Sequence, residues 1–132
     1  MKKIIAMLIL ISSLYADRAV MLESEDGIDP CSLSKVHGLD RRSDGFLAVR
    51  SGPDASYALI DKLYNGEQVW SCDVNGKWLG IVYGGKECSP PSSAVPHRQP
   101  YKGNCKTGWV YNKWILQIAD RKSTRLNSSH RL

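Results

Sequence analysis

The chain has 132 residues, with 18 basic against 13 acidic side chains and a formal net charge of +5, a length that holds one domain and excludes a second core of ordinary size. The excess lies at the ends: Lys2 and Lys3 give +2, Arg121, Lys122, Arg125 and Arg131 against Asp120 give +3, and residues 17–118 balance 12 basic with 12 acidic groups. A neutral body lacks the basic footprint of a nucleic-acid or anionic-membrane binder, so neither is expected as a partner.

The chain opens on Met1-Lys2-Lys3, continues through an apolar run from Ile4 to Leu14, and reaches small residues at Ala16. That run falls short of the roughly 20 residues a spanning helix needs. A positive start, a short apolar middle and a cleavable small residue read as a signal peptide over residues 1–16, cut near Ala16. The expectation is a periplasmic or secreted protein without a transmembrane anchor. Residues 17–30 are acidic (Glu23, Glu25, Asp26, Asp29) and lack apolar periodicity, which predicts a flexible lead-in.

From Cys31 the pattern is all-β, with short runs of Val, Ile, Tyr and Trp between clusters of Gly, Pro, Asn and Asp. The predicted strands are Lys35–Leu39, Phe46–Arg50, Ala58–Leu63, Gln68–Asp73, Lys77–Tyr83, Gly108–Tyr111 and Ile115–Ile118. Ser51-Gly52-Pro53-Asp54 ends the second of these, and Gly66 marks a turn after the third. Asn75-Gly76 between two β-rich runs predicts a two-residue hairpin, because both central positions of that turn need positive φ. Residues 84–104 carry Pro90, Pro91, Pro96 and Pro100 and form a long insertion loop rather than a central strand.

Four cysteines, Cys31, Cys72, Cys88 and Cys105, lie in the exported part. An even count in an oxidising compartment favours two disulfides. Of the three pairings, Cys88–Cys105 is preferred because it staples the local loop, which leaves Cys31–Cys72. No C-x-x-C pair is present, and His37 and His97 lack ligand spacing, so no metal or other cofactor is expected. At the far end, Asp120 to His130 resembles the translation of a short-read sequencing adapter, matching at all eleven residues in one frame. Residues 119–132 are therefore read as a non-native tail.

Four segments then form an ordered set: Asp44-Gly45-Phe46-Leu47-Ala48-Val49-Arg50-Ser51-Gly52-Pro53, Ile60-Asp61-Lys62-Leu63-Tyr64-Asn65-Gly66-Glu67-Gln68-Val69, Gly76-Lys77-Trp78-Leu79-Gly80-Ile81-Val82 and Thr107-Gly108-Trp109-Val110-Tyr111. In this order they resemble the signature of the bacterial Src-homology-3 (SH3) domain family. Ala48 stands where that family usually has Asn, and the loop between Tyr83 and Thr107 is longer than usual. The resemblance implies an all-β fold, a small, partly open SH3-like β-barrel of five to seven short strands over residues 31–118, with a disulfide-tied loop insertion. It also implies a non-catalytic binding module for peptidoglycan, peptides or protein partners.

Within that frame Val49, Leu63, Val69, Trp78, Val82, Trp109 and Val110 are expected in the core, with Leu59 beside them. Arg50, before the tight turn, is expected to hold structure by hydrogen bonding. Tyr57, Trp70, Tyr101, Tyr111 and Trp114 fall near turns or strand ends and are the candidate ligand-binding aromatics, since rigid rings bind sugars and peptides at little entropic cost. Asp54 and Asp61 are able to add polar contacts, although solvated positions are the plainer reading. No serine or cysteine pairs with a base in a recognisable motif, and no phosphate loop is present, so no catalytic residue is expected. The expectation is a monomeric envelope-ligand binder. The alternative is a small secreted protein that binds or inhibits another protein through the stapled loop.

Overall fold

In the computed structural model, residues 16–40, 45–88 and 93–119 are described; residues 1–15 and 120–132, which carry the signal-peptide and tail readings, lie outside them. Nine strands form among the described residues: β1 (Met21–Leu22), β2 (Ser32–Val36), β3 (Leu47–Arg50), β4 (Leu59–Leu63), β5 (Gln68–Asn75), β6 (Trp78–Tyr83), β7 (Gln99–Pro100), β8 (Lys106–Tyr111) and β9 (Ile115–Ala119). Seven of them make one antiparallel sheet in the order β4-β3-β8-β6-β5-β2-β9, and β1 pairs with β7 in a second, two-stranded sheet. No helix among the described residues is long and apolar enough to cross a membrane.

The large sheet is strongly curled. In its order β3 and β2 stand four places apart, about 19 Å on a flat sheet at ~4.8 Å per strand. Yet Leu47 and Val49 of β3 share one buried cluster with Val36 of β2, Leu63 of β4, Val69 of β5, Ile81 and Tyr83 of β6, and Val110 of β8. Only a sheet wrapped around that cluster brings these side chains together. The wrap does not close into a barrel: β4 and β9 are its two ends and do not pair with each other. What ties the turn after β4 to the chain after β2 is a short clasp. The Leu39 N–H donates to Asn65 Oδ1 at 3.0 Å, and Asn65 Nδ2 donates back to the Leu39 carbonyl at 3.1 Å. Beside it Gly66 N–H donates to the Val36 carbonyl at 2.8 Å and Val36 N–H to the Glu67 carbonyl at 2.9 Å.

The outer face carries a second cluster of Val20, Val82 and Trp109, against which Trp70, Trp78, Tyr101 and both Cys88 and Cys105 pack. Here residues 17–30 depart from the expected flexible lead-in. Val20 and Leu22 are buried, Met21 N–H donates to Asp73 Oδ2 at 2.9 Å, and the Trp109 indole N–H donates to the Arg18 carbonyl at 3.0 Å. The segment has too few apolar residues for periodicity to register, but the two it needs reach a face that the large sheet leaves bare.

Of the expected core, Val49, Leu63, Val69, Val82, Trp109 and Val110 are buried, whereas Trp78 is half-buried with its ring against Tyr111 on the outer face. Leu59 is 45% exposed, contrary to the expectation. The ladder between β3 and β4 pairs Val49 with Asp61 but Arg50 with Leu59, a bulge of one residue. One inserted residue turns every later side chain to the opposite face, which places Leu59 outside.

Two further differences are local. The first strand after Cys31 is β2, earlier than the expected Lys35–Leu39, because Gly38 at φ 85° breaks the extended chain and leaves Leu39 for the clasp. The hairpin forms, but Asn75 pairs with Trp78, so its two loop residues are Gly76 and Lys77, with positive φ at Gly76 alone. A turn that needs positive φ only at its first central residue is satisfied by Gly-Lys, which frees Asn75 to extend β5.

Both disulfides pair as preferred, Cys31–Cys72 and Cys88–Cys105. Ser32 pairs with Ser71, and the register of β5 against β6 then shifts between Ser71 and Asp73, leaving Cys72 as the extra residue of a bulge beside Cys31. The loops closed span 41 and 17 residues of sequence. On chain-entropy grounds they contribute about 4 and about 3 kcal/mol.

Candidate functional site

At one end of the curled sheet β5 begins, β6 ends and β8 begins, and Tyr83 stands opposite Lys106 in the ladder. Their shared face is the one to which Asp61 of β4 also points, since Asp61 pairs with the inward Val49. The three side chains meet there. Tyr83 Oη donates to Asp61 Oδ2 at 2.9 Å, and Lys106 Nζ lies 3.7 Å from the same oxygen. Asp61 Oδ1 accepts the Lys62 N–H at 2.8 Å, and Glu67 Oε2 accepts the Tyr64 N–H at 2.6 Å. Around this group opens a cleft of about 730 Å³, lined by Asp61, Lys62, Leu63, Glu67, Gln68, Trp70, Tyr83, Gly84, Gly85, Cys88 and Lys106. Cys88 brings the loop disulfide to its rim.

Burial works to raise the Asp61 carboxyl, but the Lys62 N–H, the Tyr83 hydroxyl and the Lys106 ammonium outweigh it and hold the group below the ordinary carboxylate value. Tyr83 is pushed up, first by burial and then by its bond to Asp61 and the negative charges of Asp61 and Glu67. At neutral pH the cleft therefore presents a fixed carboxylate and a neutral phenol that donates. The Lys106 ammonium is 68% exposed, so its pairing with Asp61 adds less than about 1 kcal/mol.

Of the five candidate aromatics, the structure brings only Trp70 into this cleft. Tyr101 holds the insertion loop: its Oη accepts the Cys105 N–H at 2.9 Å, and its own N–H donates to the Val20 carbonyl at 2.9 Å. Tyr57 lies over Gly52, where a Cβ would collide with its ring. Its carbonyl accepts Arg50 Nη1 at 3.2 Å, the structural role expected of Arg50. Tyr111 meets Trp78 edge-on at 5.7 Å between centroids. Trp114 packs against the inner cluster, with Lys113 Nζ 4.8 Å from its ring centroid. Asp54 is spent on its turn, accepting both the Oγ and the N–H of Ser56, which lower its pKa in that order. His37 and His97 are exposed.

Tyr83, Lys106, Glu67 and Gln68 were not singled out from the sequence. Tyr83 and Lys106 are 23 residues apart in number and adjacent only through the β6–β8 ladder. The one available signal was alternation, which places Tyr83 with Ile81 on the buried face while its hydroxyl demands a partner. A second cleft, of about 680 Å³, is lined by residues that include Glu23, Glu25, Ser32, Ser71, Asp73 and Gln117 and by none of the candidate aromatics. Comparison with protein-family models, with curated proteins and with solved structures finds no match to this chain.

Proposed function

We propose that this chain is an exported, non-catalytic binding module of SH3-like type whose ligand is a cell-envelope component, peptidoglycan or a wall peptide. The observation that carries the reading is the cleft at the mouth of the curled sheet. Trp70 lines one cleft of about 730 Å³ together with the Tyr83 phenol donor, the Asp61 carboxylate and the Lys106 ammonium. Such a mixture of one apolar wall and a few fixed polar groups is what orients a peptide or amino sugar. The two disulfides suit an oxidising compartment. All four cysteines are held in disulfides, so none offers a free thiol nucleophile.

Co-sedimentation of the oxidised protein with purified peptidoglycan sacculi tests the reading. Retention that falls at least tenfold on Trp70→Ala, and is unchanged on Lys77→Ala at the far hairpin, is the expected result. No retention at any ionic strength overturns it. In that event the second reading gains: a protein-binding or inhibitory role for residues 84–104. Its support is the way the described residues of that loop, 84–88 and 93–104, are tied down, by the Cys88–Cys105 bond, by Asn104 Nδ2 donating to the Glu87 carbonyl at 3.1 Å, and by Tyr101. A tethered loop loses little entropy on binding.

A further inference from the structure

The cleft holds a cation of its own, and that cation is loosely held. Lys106 Nζ stands 3.7 Å from Asp61 Oδ2, beyond the ~2.7–2.9 Å of a charge-assisted hydrogen bond, on a side chain 68% exposed. Exposed pairs of this kind are weak because water competes for both partners and the flexible stem must be ordered. The carboxylate, by contrast, is well held. One oxygen is fixed by the Lys62 N–H and the other by the Tyr83 hydroxyl, and each oxygen retains a second acceptor position. The neighbouring cation, Lys62, is turned away, with its Nζ 4.5 Å from the centroid of the Phe46 ring. Glu67 lines the same cleft, with its Oε2 accepting the Tyr64 N–H at 2.6 Å, and adds a second negative charge that favours a bound cation.

Resting on the envelope-ligand reading above, we propose that the Asp61 corner of this cleft receives a primary ammonium carried on a side chain of a peptide ligand, which displaces Lys106 from the carboxylate. Lys106 is then an internal stand-in for the ligand and lowers affinity by competition. Asp61 is the group that reads the charge, and Tyr83 and the Lys62 backbone are positioning groups that hold its oxygens before the ligand arrives.

The test uses the full oxidised chain and two synthetic tetrapeptides, Ala-Glu-Lys-Ala and the same peptide with its lysine Nε-acetylated, titrated while the Trp70 indole and Lys62 amide resonances are followed. The free-amine peptide is expected to bind at least tenfold more tightly than the acetylated one. Lys106→Met, a change at an exposed side chain that leaves the fold intact, is expected to tighten the free-amine peptide several-fold, and Asp61→Asn to erase the difference between the two. Equal binding of both peptides to the unaltered protein, no binding of either at millimolar concentration, or a loss of affinity on Lys106→Met each overturns the proposal. Sacculi sedimented alongside separate the two failures. Retention on sacculi without discrimination between the peptides removes only the ammonium proposal, whereas loss of retention removes the envelope reading itself.

Discussion

The Tyr83 hydroxyl reaches across the mouth of the sheet to Asp61, 2.9 Å away, and so joins a central strand to the edge strand β4. Without it, β4 keeps its ladder to β3, the burial of Leu63 in the inner cluster, the weak Lys106–Asp61 pair and the Asn65 clasp beside its end. Tyr83→Phe removes a donor to a charged acceptor, worth about 1.5–3 kcal/mol where buried and nearer 1 kcal/mol here, since Asp61 is a third exposed. Urea unfolding of the oxidised protein is expected to show that loss with an unchanged slope.

The same pair sets an acid limb of stability. The carboxyl of Asp61 is held below its unfolded value, so the folded chain releases that proton more readily. Its contribution is present above the unfolded pKa of about 4 and is lost as pH falls through the lower folded value. Unfolding free energies measured between pH 5 and pH 2 should decline less steeply in Asp61→Asn than in the unaltered protein. An identical decline removes Asp61 from the account. In alkali the sign reverses for Tyr83, whose raised pKa makes its phenol ionise later in the folded chain than in the unfolded one, so its contribution is lost as pH rises through the folded value.

Gly80 sits where three elements meet. A Cβ there would lie 2.8 Å from Asp73 Cβ, 3.1 Å from Val20 Cγ1 and 3.2 Å from Trp109 Cη2. The nearest of these is fixed to backbone and has no rotamer by which to retreat. Gly80→Ala is expected to cost about 1–3 kcal/mol by overpacking, read as a lowered midpoint in thermal or urea unfolding.

Val20 tests whether the N-terminal segment belongs to the folded unit. Its side chain is 2% exposed against Trp109 and Val82. Val20→Ala deletes two buried methyls and should destabilise by about 2 kcal/mol, with a red shift of tryptophan emission as water reaches the indole. A change of a few tenths of a kcal/mol would mean that residues 17–22 merely lie on the surface.

The disulfides should be unequal. Replacing Cys31 and Cys72 by serine relaxes the longer loop in the unfolded chain and is expected to cost about 4 kcal/mol, against about 3 kcal/mol for Cys88 and Cys105. Only the second pair borders the cleft, so only its loss should also weaken the ligand binding proposed for that site.

The sequence by itself determined the β class, the break at Ser51–Asp54, the hairpin after β5, the burial of Val49, Val69 and Val110, and the preferred cysteine pairs. Each of these rests on short stretches of chain: β-rich runs between turn residues, a proline's fixed φ, a glycine's freedom, the motif strands of the resemblance, and a loop short enough for Cys88 and Cys105 to staple. What only the tertiary structure decided is everything that depends on which strands become neighbours. The bulge that turns Leu59 outward, the docking of Val20, the sheet that curls without closing, and the meeting of Asp61, Tyr83 and Lys106 all arise from pairings between residues distant in number. Periodicity shows which face a side chain takes along its own strand, but not which strand lies alongside. That choice is made by how the whole set of apolar faces shares one core, a property that no single segment possesses.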